Sequence, residues 1–245
     1  IIPRIITMKD LFGKAILDFQ TNNAPEDLTT ETTISDEDEM SVAYLFRSYK
    51  EMPVLEQKAL QLAKGKVLDV GCGAGAHSLY LQNEKNLEVH SIDISYSAVA
   101  TCKLRGLKNV HLQNILEIDS TTSANKYDTI LLLMNGTGIF GTLKNTAQYL
   151  QKLKSLLKPD GQILIDSSDI IYMFDADEDG AYEIPANGYY GELQFTLRYK
   201  GQKEEPFPWL YLDYNTLQNA AFANGLRCKL ILEGEHYDYL ARLTI

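Results

Sequence analysis

Cysteine is scarce in this sequence. Its 245 residues include three cysteines, Cys72, Cys102 and Cys228, which are widely separated and follow no metal-ligand spacing. An odd number of isolated thiols excludes a disulfide framework and a zinc site of the paired-cysteine type, and it is typical of proteins from a reducing compartment. The sequence therefore predicts a cytoplasmic protein without a metal site.

Basic residues and long apolar runs are also lacking. Lys and Arg number 23 against 33 Asp and Glu, so the formal net charge is −10. Binding to nucleic-acid phosphates requires a basic surface, whereas Lys152, Lys154 and Lys158, the densest basic cluster, have the spacing of a solvated helix face. No apolar run approaches the roughly 18 residues of a membrane-spanning helix. We expect a small-molecule substrate, no nucleic-acid partner and no membrane span; the oligomeric state is not indicated.

A glycine-rich turn follows a predicted buried strand. The apolar side chains of Val67–Val70 are typical of a parallel strand covered on both faces, and Gly71, Gly73 and Gly75 follow at alternate positions. From Ala76 onward the pattern predicts a helix. Strand, turn and helix together place backbone N–H groups at the carboxyl end of a sheet, where open α/β folds bind ligands.

Strands and helices alternate after this turn. The predicted strands are 66–72, 88–94, 109–113, 127–134 and 162–167, and the predicted helices are 76–82, 97–105 and 143–157. A helix at 215–224 precedes strands at 227–233 and 237–244, whose short connection requires an antiparallel pair. This order predicts an α/β, Rossmann-like, mostly parallel seven-stranded sheet with an antiparallel C-terminal hairpin.

The first 64 residues are predicted to form a helical cap on a domain of residues 65–245. An amphipathic helix is expected at 8–20, and residues 21–39 have the polar, acidic composition of an exposed connector. A second helix carries Met40 to Phe46, and Pro53 opens a third that ends at Gly65.

The segment Asp69–Gly75 resembles motif I of the class I S-adenosylmethionine-dependent methyltransferases, in which an acid and one further residue precede Gly-x-Gly-x-Gly. The resemblance spans about residues 65–169 and 213–245 and includes Ser91–Ile94, Tyr127–Ile130 and Leu157–Gly161. It implies S-adenosylmethionine as cofactor and methyl transfer as activity. The cofactor-binding residues that it implies are Asp69, Gly71, Cys72, Gly73, Gly75, Asp93, Ile94, Asn114, Ile115 and Met134, with Tyr44 and Arg47 from the N-terminal segment.

The resemblance also implies individual roles. Asp93 is expected to accept hydrogen bonds from both ribose hydroxyls, although it can also cap the following helix. Asn114 falls near the position of an acid that contacts the adenine amino group, and Met134 follows the fourth strand on the methyl-donor side. Arg47 is expected either to pair with the cofactor carboxylate or to be a solvated helical arginine.

A dinucleotide-dependent oxidoreductase is the first alternative, because Gly71, Gly73 and Ala76 also fit G-x-G-x-x-A, with Asp93 about 20 residues further on. However, a pyrophosphate would face the carboxylate of Asp69, and no Lys or Arg occurs from Cys72 to Glu84. A sulfonium and an amino group would be attracted by that carboxylate. The pattern therefore favours the methyl donor over a dinucleotide.

No unique general base is apparent. The candidates are His77, His236 and, as an orienting group, Asn135, and each also suits a surface or packing role. The segment Met134–Gly138 lacks the Asn/Asp-Pro-Pro-Tyr/Phe tetrad of enzymes that methylate amino groups of nucleic-acid bases or glutamine. We expect methyl transfer to oxygen or nitrogen of a small molecule; a non-catalytic protein that binds S-adenosylmethionine is the second alternative.

An aromatic, β-rich insert at about 170–212 is the candidate lid or specificity element. Tyr172, Tyr189, Tyr190 and Trp209 are the candidate substrate contacts, with packing of the insert on the sheet as the alternative. Within it, Asp175–Gly180 copies the first half of a calcium loop, but Ala186 stands where a bidentate Glu is needed. We interpret this segment as an acidic solvated turn.

Overall fold

The computed structural model describes residues 9–174, 182, 184–185 and 188–245. In chain order the helices and strands are α1 (Leu11–Thr21), β1 (Leu28–Thr32), β2 (Ser35–Met40), α2 (Val54–Leu62), β3 (Lys66–Val70), α3 (Ala76–Asn83), β4 (Glu88–Asp93), α4 (Tyr96–Leu104), β5 (Val110–Leu112), β6 (Tyr127–Leu132), α5 (Thr146–Ser155), β7 (Leu157–Ser168), β8 (Glu192–Tyr199), β9 (Gln202–Lys203), β10 (Phe207–Leu210), α6 (Tyr214–Ala223), β11 (Arg227–Glu233) and β12 (Asp238–Thr244).

Within the described residues, a seven-stranded sheet has the order β11-β12-β7-β6-β3-β4-β5. Strands β5, β4, β3, β6 and β7 run parallel, and β12 and β11 continue the sheet antiparallel. Apolar residues of the central strands are buried on both faces, with Leu68 and Ile130 in one core cluster and Val67 and Leu131 in another. The predicted fold class is confirmed, and the carboxyl ends of β3, β4, β6 and β7 meet at one edge.

A β-hairpin replaces the exposed connector predicted at 21–39. Strands β1 and β2 pair antiparallel, and β1 also pairs with β8 from the insert. A short 3₁₀ helix, Val42–Phe46, stands where a longer helix was predicted. The expectation of an exposed connector within the helical cap is therefore wrong, although helices α1 and α2 do form. The pairing with β8 is a tertiary contact, because β8 lies more than 160 residues away from β1 along the chain.

The insert and the N-terminal hairpin form one second sheet. Its order is β10-β8-β1-β2, with β9 on β8, and Tyr199 of β8 is buried against Leu11 and Leu28. The division of the chain at residue 64 stays a prediction, since the second sheet joins strands from both sides of it. The segment that copies half of a calcium loop, Asp175–Gly180, interpreted above as an acidic solvated turn, lies outside the described residues.

The segment Lys158–Gly161, which precedes the predicted strand 162–167, interrupts the register of β7. Tyr127 is opposite Leu157, whereas Thr129 is opposite Gln162, so the intervening residues bulge from the strand. None of the helices in the described part of the chain combines the length and apolar character that crossing a membrane requires.

Candidate functional site

The glycine turn is tied to the end of β4 by its own backbone. The amides of Gly71 and Cys72 donate to the carbonyl of Ile92 at 2.9 and 3.1 Å, and the amide of Gly73 donates to Asp93 Oδ2 at 2.9 Å. All three glycines of the turn have positive φ. A Cβ at Gly75 would lie 2.8 Å from Leu107 Cδ1, so glycine is required there. These contacts hold the turn against β4, and the amides of Gly71, Cys72 and Gly73 already donate hydrogen bonds within the protein.

Asp93 presents a carboxylate at the edge of this turn. One oxygen accepts from Gly73 and the other from the Ser95 amide at 2.9 Å. Burial raises the pKa of Asp93, although the two backbone hydrogen bonds act against that rise. Each oxygen keeps a second lone pair, so the group can accept two further hydrogen bonds. The neighbouring Ile94 is 69% exposed, which leaves an apolar surface beside the carboxylate.

Asp69 lies beneath the turn and is only 2% exposed. Its Oδ2 accepts a hydrogen bond of 2.6 Å from Ser78 Oγ. Burial raises the pKa of Asp69, partly offset by the charge of His77 and by the Ser78 hydrogen bond. In the structure Asp69 therefore links β3 to α3, and a cofactor contact by its side chain stays a prediction.

Three further predicted cofactor residues, Cys72, Asn114 and Ile115, contact neighbouring residues of the protein. Cys72 is buried with its sulfur 3.8 Å from that of Cys102. Asn114 uses its side-chain oxygen to accept from the Leu116 amide at 2.9 Å, and Ile115 is buried in the main core. Their contact with a cofactor stays a prediction.

The N-terminal segment packs over the glycine turn. Ile16 of α1 and Leu45 of the 3₁₀ helix form a buried cluster with Ala74, and Phe12 packs against them. The carboxylate of Asp10 accepts a 2.9 Å hydrogen bond from Ser95 Oγ, next to Asp93. The turn is therefore covered by the chain's own N-terminal residues rather than open to solvent on that side.

A buried charge cluster joins this segment to α3. Glu56 Oε2 accepts from Arg47 Nη2 and lies 2.6 Å from His77 Nε2, and all three residues are at most 7% exposed. Burial acts to raise the pKa of Glu56, but the hydrogen bond and charge of His77 and the charge of Arg47 outweigh it and lower that pKa. Glu56 went unpredicted, because a single acid on α2 has no local signature.

Arg47 is held in one orientation. Its Nη1 donates to the Tyr44 carbonyl at 2.7 Å, and the guanidinium lies over the Tyr44 ring at 4.1 Å from the centroid. Within the described residues its buried Nε has no hydrogen-bond partner. The expectation of a solvated helical arginine is wrong, since Arg47 is paired and buried, and its predicted contact with a cofactor carboxylate stays a prediction.

A cavity of about 270 Å³ opens at the carboxyl edge of the sheet. Two predicted cofactor residues, Tyr44 and Met134, line it together with Asn135. Its lining residues are Tyr44, Pro53, Leu55, Glu56, Met134, Asn135, Asp166, Ser167, Ser168 and Asp238. Three of these carry carboxylates, and none of the lining residues identified in the described chain is Lys or Arg.

Asp166, near the end of β7, is fixed in this cavity by the β6 loop, the segment 133–138 that follows β6. Its oxygens accept from the amides of Met134 and Gly136 at 2.9 and 2.8 Å. Met134 and Asn135 both adopt positive φ, a strained backbone that directs these amides at one carboxylate. Burial raises the pKa of Asp166 to about 7, against the effect of the two backbone hydrogen bonds. The prediction missed Asp166, although Asp166, like Asp93, is an acid near the carboxyl end of a predicted parallel strand.

The elevated pKa of Asp166 predicts a pH-dependent contribution to stability. The folded group keeps its proton up to about pH 7, whereas the unfolded group loses it near its ordinary pKa of 3.8. The protonated carboxyl therefore stabilises the fold at low pH, and this contribution is lost as pH rises through 7. When the pH rises from about 5.5 to about 8, the free energy of unfolding of the wild type should fall by roughly 2 kcal/mol relative to that of Asp166→Asn. Urea unfolding of both proteins at the two pH values measures this difference, and parallel pH slopes would contradict it.

The candidate general bases occupy different surroundings. His77 is buried against Glu56, and Asn135 accepts from Ser167 Oγ at 2.9 Å, which ties the β6 loop to β7. His236 lies in the exposed turn between β11 and β12 and does not line the cavity. The structure therefore brings His77 and Asn135 near the cavity and leaves His236 outside its lining.

The four predicted substrate aromatics are placed around the insert. Tyr189 donates to Asp213 at 2.6 Å, and Tyr190 donates to Asp169 at 2.7 Å. The Trp209 ring packs so closely on the Gly138 backbone that a Cβ there would overlap it. Tyr172 stacks on Tyr237 with centroids 4.8 Å apart and is 45% exposed. None of the four belongs to the identified cavity lining, and their contact with a substrate stays a prediction.

The described residues contain no group of three or more His, Cys, Asp or Glu arranged to hold a metal ion.

Comparisons with known proteins give a consistent family. Residues 62–199 match a family model described as a methyltransferase domain. A SAM-dependent methyltransferase from Bacteroides fragilis, solved in complex with S-adenosyl-L-homocysteine, is 47% identical, with 97% of this chain and 95% of that chain covered and a TM-score of 0.87.

More distant matches share the fold. CalS10, an amino pentose methyltransferase from Micromonospora echinaspora, is 13% identical over 82% of this chain and 93% of its own, with a TM-score of 0.54. The PH0226 protein of Pyrococcus horikoshii is 16% identical over 78% of this chain and 87% of its own, with a TM-score of 0.56.

An uncharacterized Synechococcus protein is 30% identical over 110 residues, which cover 42% of this chain and 25% of that protein. The chain thus matches about a quarter of the length of that curated relative.

Proposed function

This chain belongs to the S-adenosylmethionine-dependent methyltransferases, and we propose that it transfers the cofactor's methyl group to oxygen or nitrogen of a small-molecule acceptor. The observation that carries the proposal is the glycine turn with Asp93, at the same carboxyl edge of the sheet as a cavity. The relative from Bacteroides fragilis, solved with S-adenosyl-L-homocysteine, supports the same cofactor.

The residues at this edge fit S-adenosylmethionine better than a dinucleotide. Gly71 and Gly73 leave room for close approach, and Asp93 has two free lone pairs for ribose hydroxyls. The buried Nε of Arg47 is an available donor for a carboxylate. A pyrophosphate, in contrast, would meet a turn whose Gly71 and Cys72 amides are already bonded to Ile92 and which has the carboxyl group of Asp69 beneath it.

The bound cofactor would supply a methyl group on a sulfonium leaving group, so the protein has mainly to orient the acceptor and accept a proton. Glu56 and Asp166 lie on the wall of the acceptor cavity, and the N-terminal segment covers the neighbouring turn. A cavity of about 270 Å³ suits a small molecule. The acidic net charge and the absence of Lys or Arg from the identified lining support an uncharged or cationic acceptor rather than a nucleic acid.

We expect S-adenosylhomocysteine to stabilise the protein and NAD to leave it unchanged. At a concentration near 100 times Kd, binding adds about 2.7 kcal/mol, equivalent to a rise in Tm of roughly 5–10 °C for a chain of this size. Thermal unfolding with each ligand measures the difference. A rise in Tm with NAD but not with S-adenosylhomocysteine would favour the oxidoreductase alternative.

A non-catalytic cofactor-binding protein would also be stabilised by S-adenosylhomocysteine, so a second experiment has to measure methyl transfer. With S-adenosylmethionine and a small-molecule metabolite extract, the enzyme should release S-adenosylhomocysteine above the rate of a sample without extract. Stabilisation by S-adenosylhomocysteine without any such release from a broad set of extracts would favour a binding role.

A further inference from the structure

The cavity chemistry points beyond a generic small molecule. Resting on the methyl transfer proposed above, we propose that the acceptor is an aliphatic amine that binds as its ammonium ion, and that Asp166 receives the proton that this ammonium ion gives up.

The charges of the cavity select for a cation. Glu56 is compensated by Arg47 and His77, whereas Asp166 and Asp238 have no ion-pair partner within the described residues. A carboxylate removed from water without a counterion is unfavourable, and an ammonium ion in the cavity supplies that counterion. An anionic acceptor would add repulsion to both groups, so carboxylate and phosphate acceptors are disfavoured at this wall.

Asp166 has the placement of a general base, because it is buried, held in one orientation and part of the cavity wall. The amides of Met134 and Gly136 each occupy one lone pair of its two oxygens, so the carboxylate cannot rotate away and each oxygen keeps one acceptor site. The residue is 7% exposed and contributes to the cavity wall. A base is most effective when its pKa lies near the working pH, and burial gives Asp166 a pKa of about 7.

The alternative bases are less well placed. His77 shares Glu56 Oε2 with Arg47, so its Nε2 is committed to a buried contact with that carboxylate. Asn135 cannot take up a proton, and its side-chain oxygen already accepts from Ser167. Asp238 also lines the cavity, but its Oδ1 accepts from the His236 amide in an exposed turn. Asp166 is thus the buried acid of the cavity wall without a counterion.

The proposed step balances as follows. The ammonium N–H bond breaks, its proton forms an O–H bond with Asp166, and the bonding pair remains on nitrogen as a lone pair. That lone pair forms the nitrogen–carbon bond to the methyl group while the carbon–sulfur bond breaks and its pair stays on sulfur. The methylated amine keeps the charge that the sulfonium loses, and Asp166 returns its proton to solvent after release.

The test uses three probes of one chain length, aminohexanol, hexanediol and hydroxyhexanoate, which carry an ammonium, a hydroxyl and a carboxylate head group. Calorimetry first establishes that S-adenosylhomocysteine binds, and then titrates the loaded protein with each probe. Asp166→Asn is the variant, and Asp160→Asn is the matched control because Asp160 is exposed in the bulge of β7. Release of S-adenosylhomocysteine from S-adenosylmethionine is measured with the same probes.

We expect aminohexanol to bind at least about 10-fold more tightly than the other two probes, a difference near 1.4 kcal/mol. Asp166→Asn should remove this preference and lower turnover of aminohexanol by about 100-fold or more, with unchanged binding of S-adenosylhomocysteine. Asp160→Asn should behave as the wild type.

Equal binding of the three probes, or a preference that persists in Asp166→Asn, overturns the inference while the proposed function stands. Turnover of aminohexanol by Asp166→Asn within about threefold of the wild type overturns the role of Asp166 as base, because general-base contributions are much larger. If S-adenosylhomocysteine does not bind, the proposed function fails and the inference fails with it. The wild type could also prefer aminohexanol in binding but fail to methylate it. The preference would then uphold an ammonium ion as the acceptor class, and the lack of turnover would overturn aminohexanol as a substrate.

Discussion

Replacing Glu56 with alanine is expected to lower the free energy of unfolding by about 3–5 kcal/mol, the usual effect of breaking a buried ion pair by removing one partner. Glu56 is 4% exposed and bonded to both Arg47 and His77. Its loss leaves the Arg47 charge in a site where it is 7% exposed, with no carboxylate to offset the lost hydration. The penalty arises chiefly from that uncompensated charge rather than from the missing side-chain volume.

Urea unfolding of purified wild type and Glu56→Ala provides the measurement. Glu84→Ala, which removes an exposed acid at the end of α3, is the control and should change stability by less than about 0.5 kcal/mol. The double variant Arg47→Met, Glu56→Leu removes both charges and should recover a large part of the loss. If the double variant is less stable than Glu56→Ala, the buried charge is not the cause of the effect.

Asp93→Ala is expected to weaken binding of S-adenosylhomocysteine by about 100-fold or more. Hydrogen bonds to a charged group contribute about 1.5–3 kcal/mol each, and Asp93 has two free lone pairs for the ribose hydroxyls. The substitution also leaves the amides of Gly73 and Ser95 without their acceptors, which loosens the turn beside the cofactor. The lost hydrogen bonds and the loosened turn both weaken binding of S-adenosylhomocysteine.

Calorimetric titration with S-adenosylhomocysteine measures the change, and circular dichroism establishes that the variant remains folded. Asp93→Asn keeps one acceptor oxygen and should have an intermediate affinity, whereas Asp160→Asn should bind as the wild type does. Affinity of Asp93→Ala within about threefold of the wild type, less than 1 kcal/mol, would show that Asp93 does not carry the ribose contact.

The central sheet could be predicted from the sequence because its signals are local. The central strands β3 and β6 are short, mainly apolar and almost wholly buried, and helices α3 and α4 begin at a recognisable turn or cap. The short connection between β11 and β12 required their antiparallel pairing, which the structure shows. Residues within one turn or one hairpin of each other supply these signals.

The N-terminal hairpin could not be predicted in the same way. Thr29 and Thr30 of β1 suit a strand, but a polar five-residue segment is equally typical of a connector until a partner is known. That partner is β8, which places Arg198 opposite Thr29. One edge of β1 pairs locally with β2, but the other edge pairs with β8 from a distant part of the chain, and that second pairing is a tertiary property.

The sequence by itself determined the fold class and the identity of the glycine turn, because Asp69–Gly75 and Asp93 lie at strand ends whose meeting point follows from parallel pairing. Only the tertiary structure decided which acids share the cavity. Glu56, Asp166 and Asp238 come from α2, β7 and β12, and their approach to one another depends on sheet order and helix packing. Burial and the β6 loop amides then set the protonation of Asp166, since the pKa of a carboxyl depends on the solvent and donors around it rather than on its neighbours in the chain.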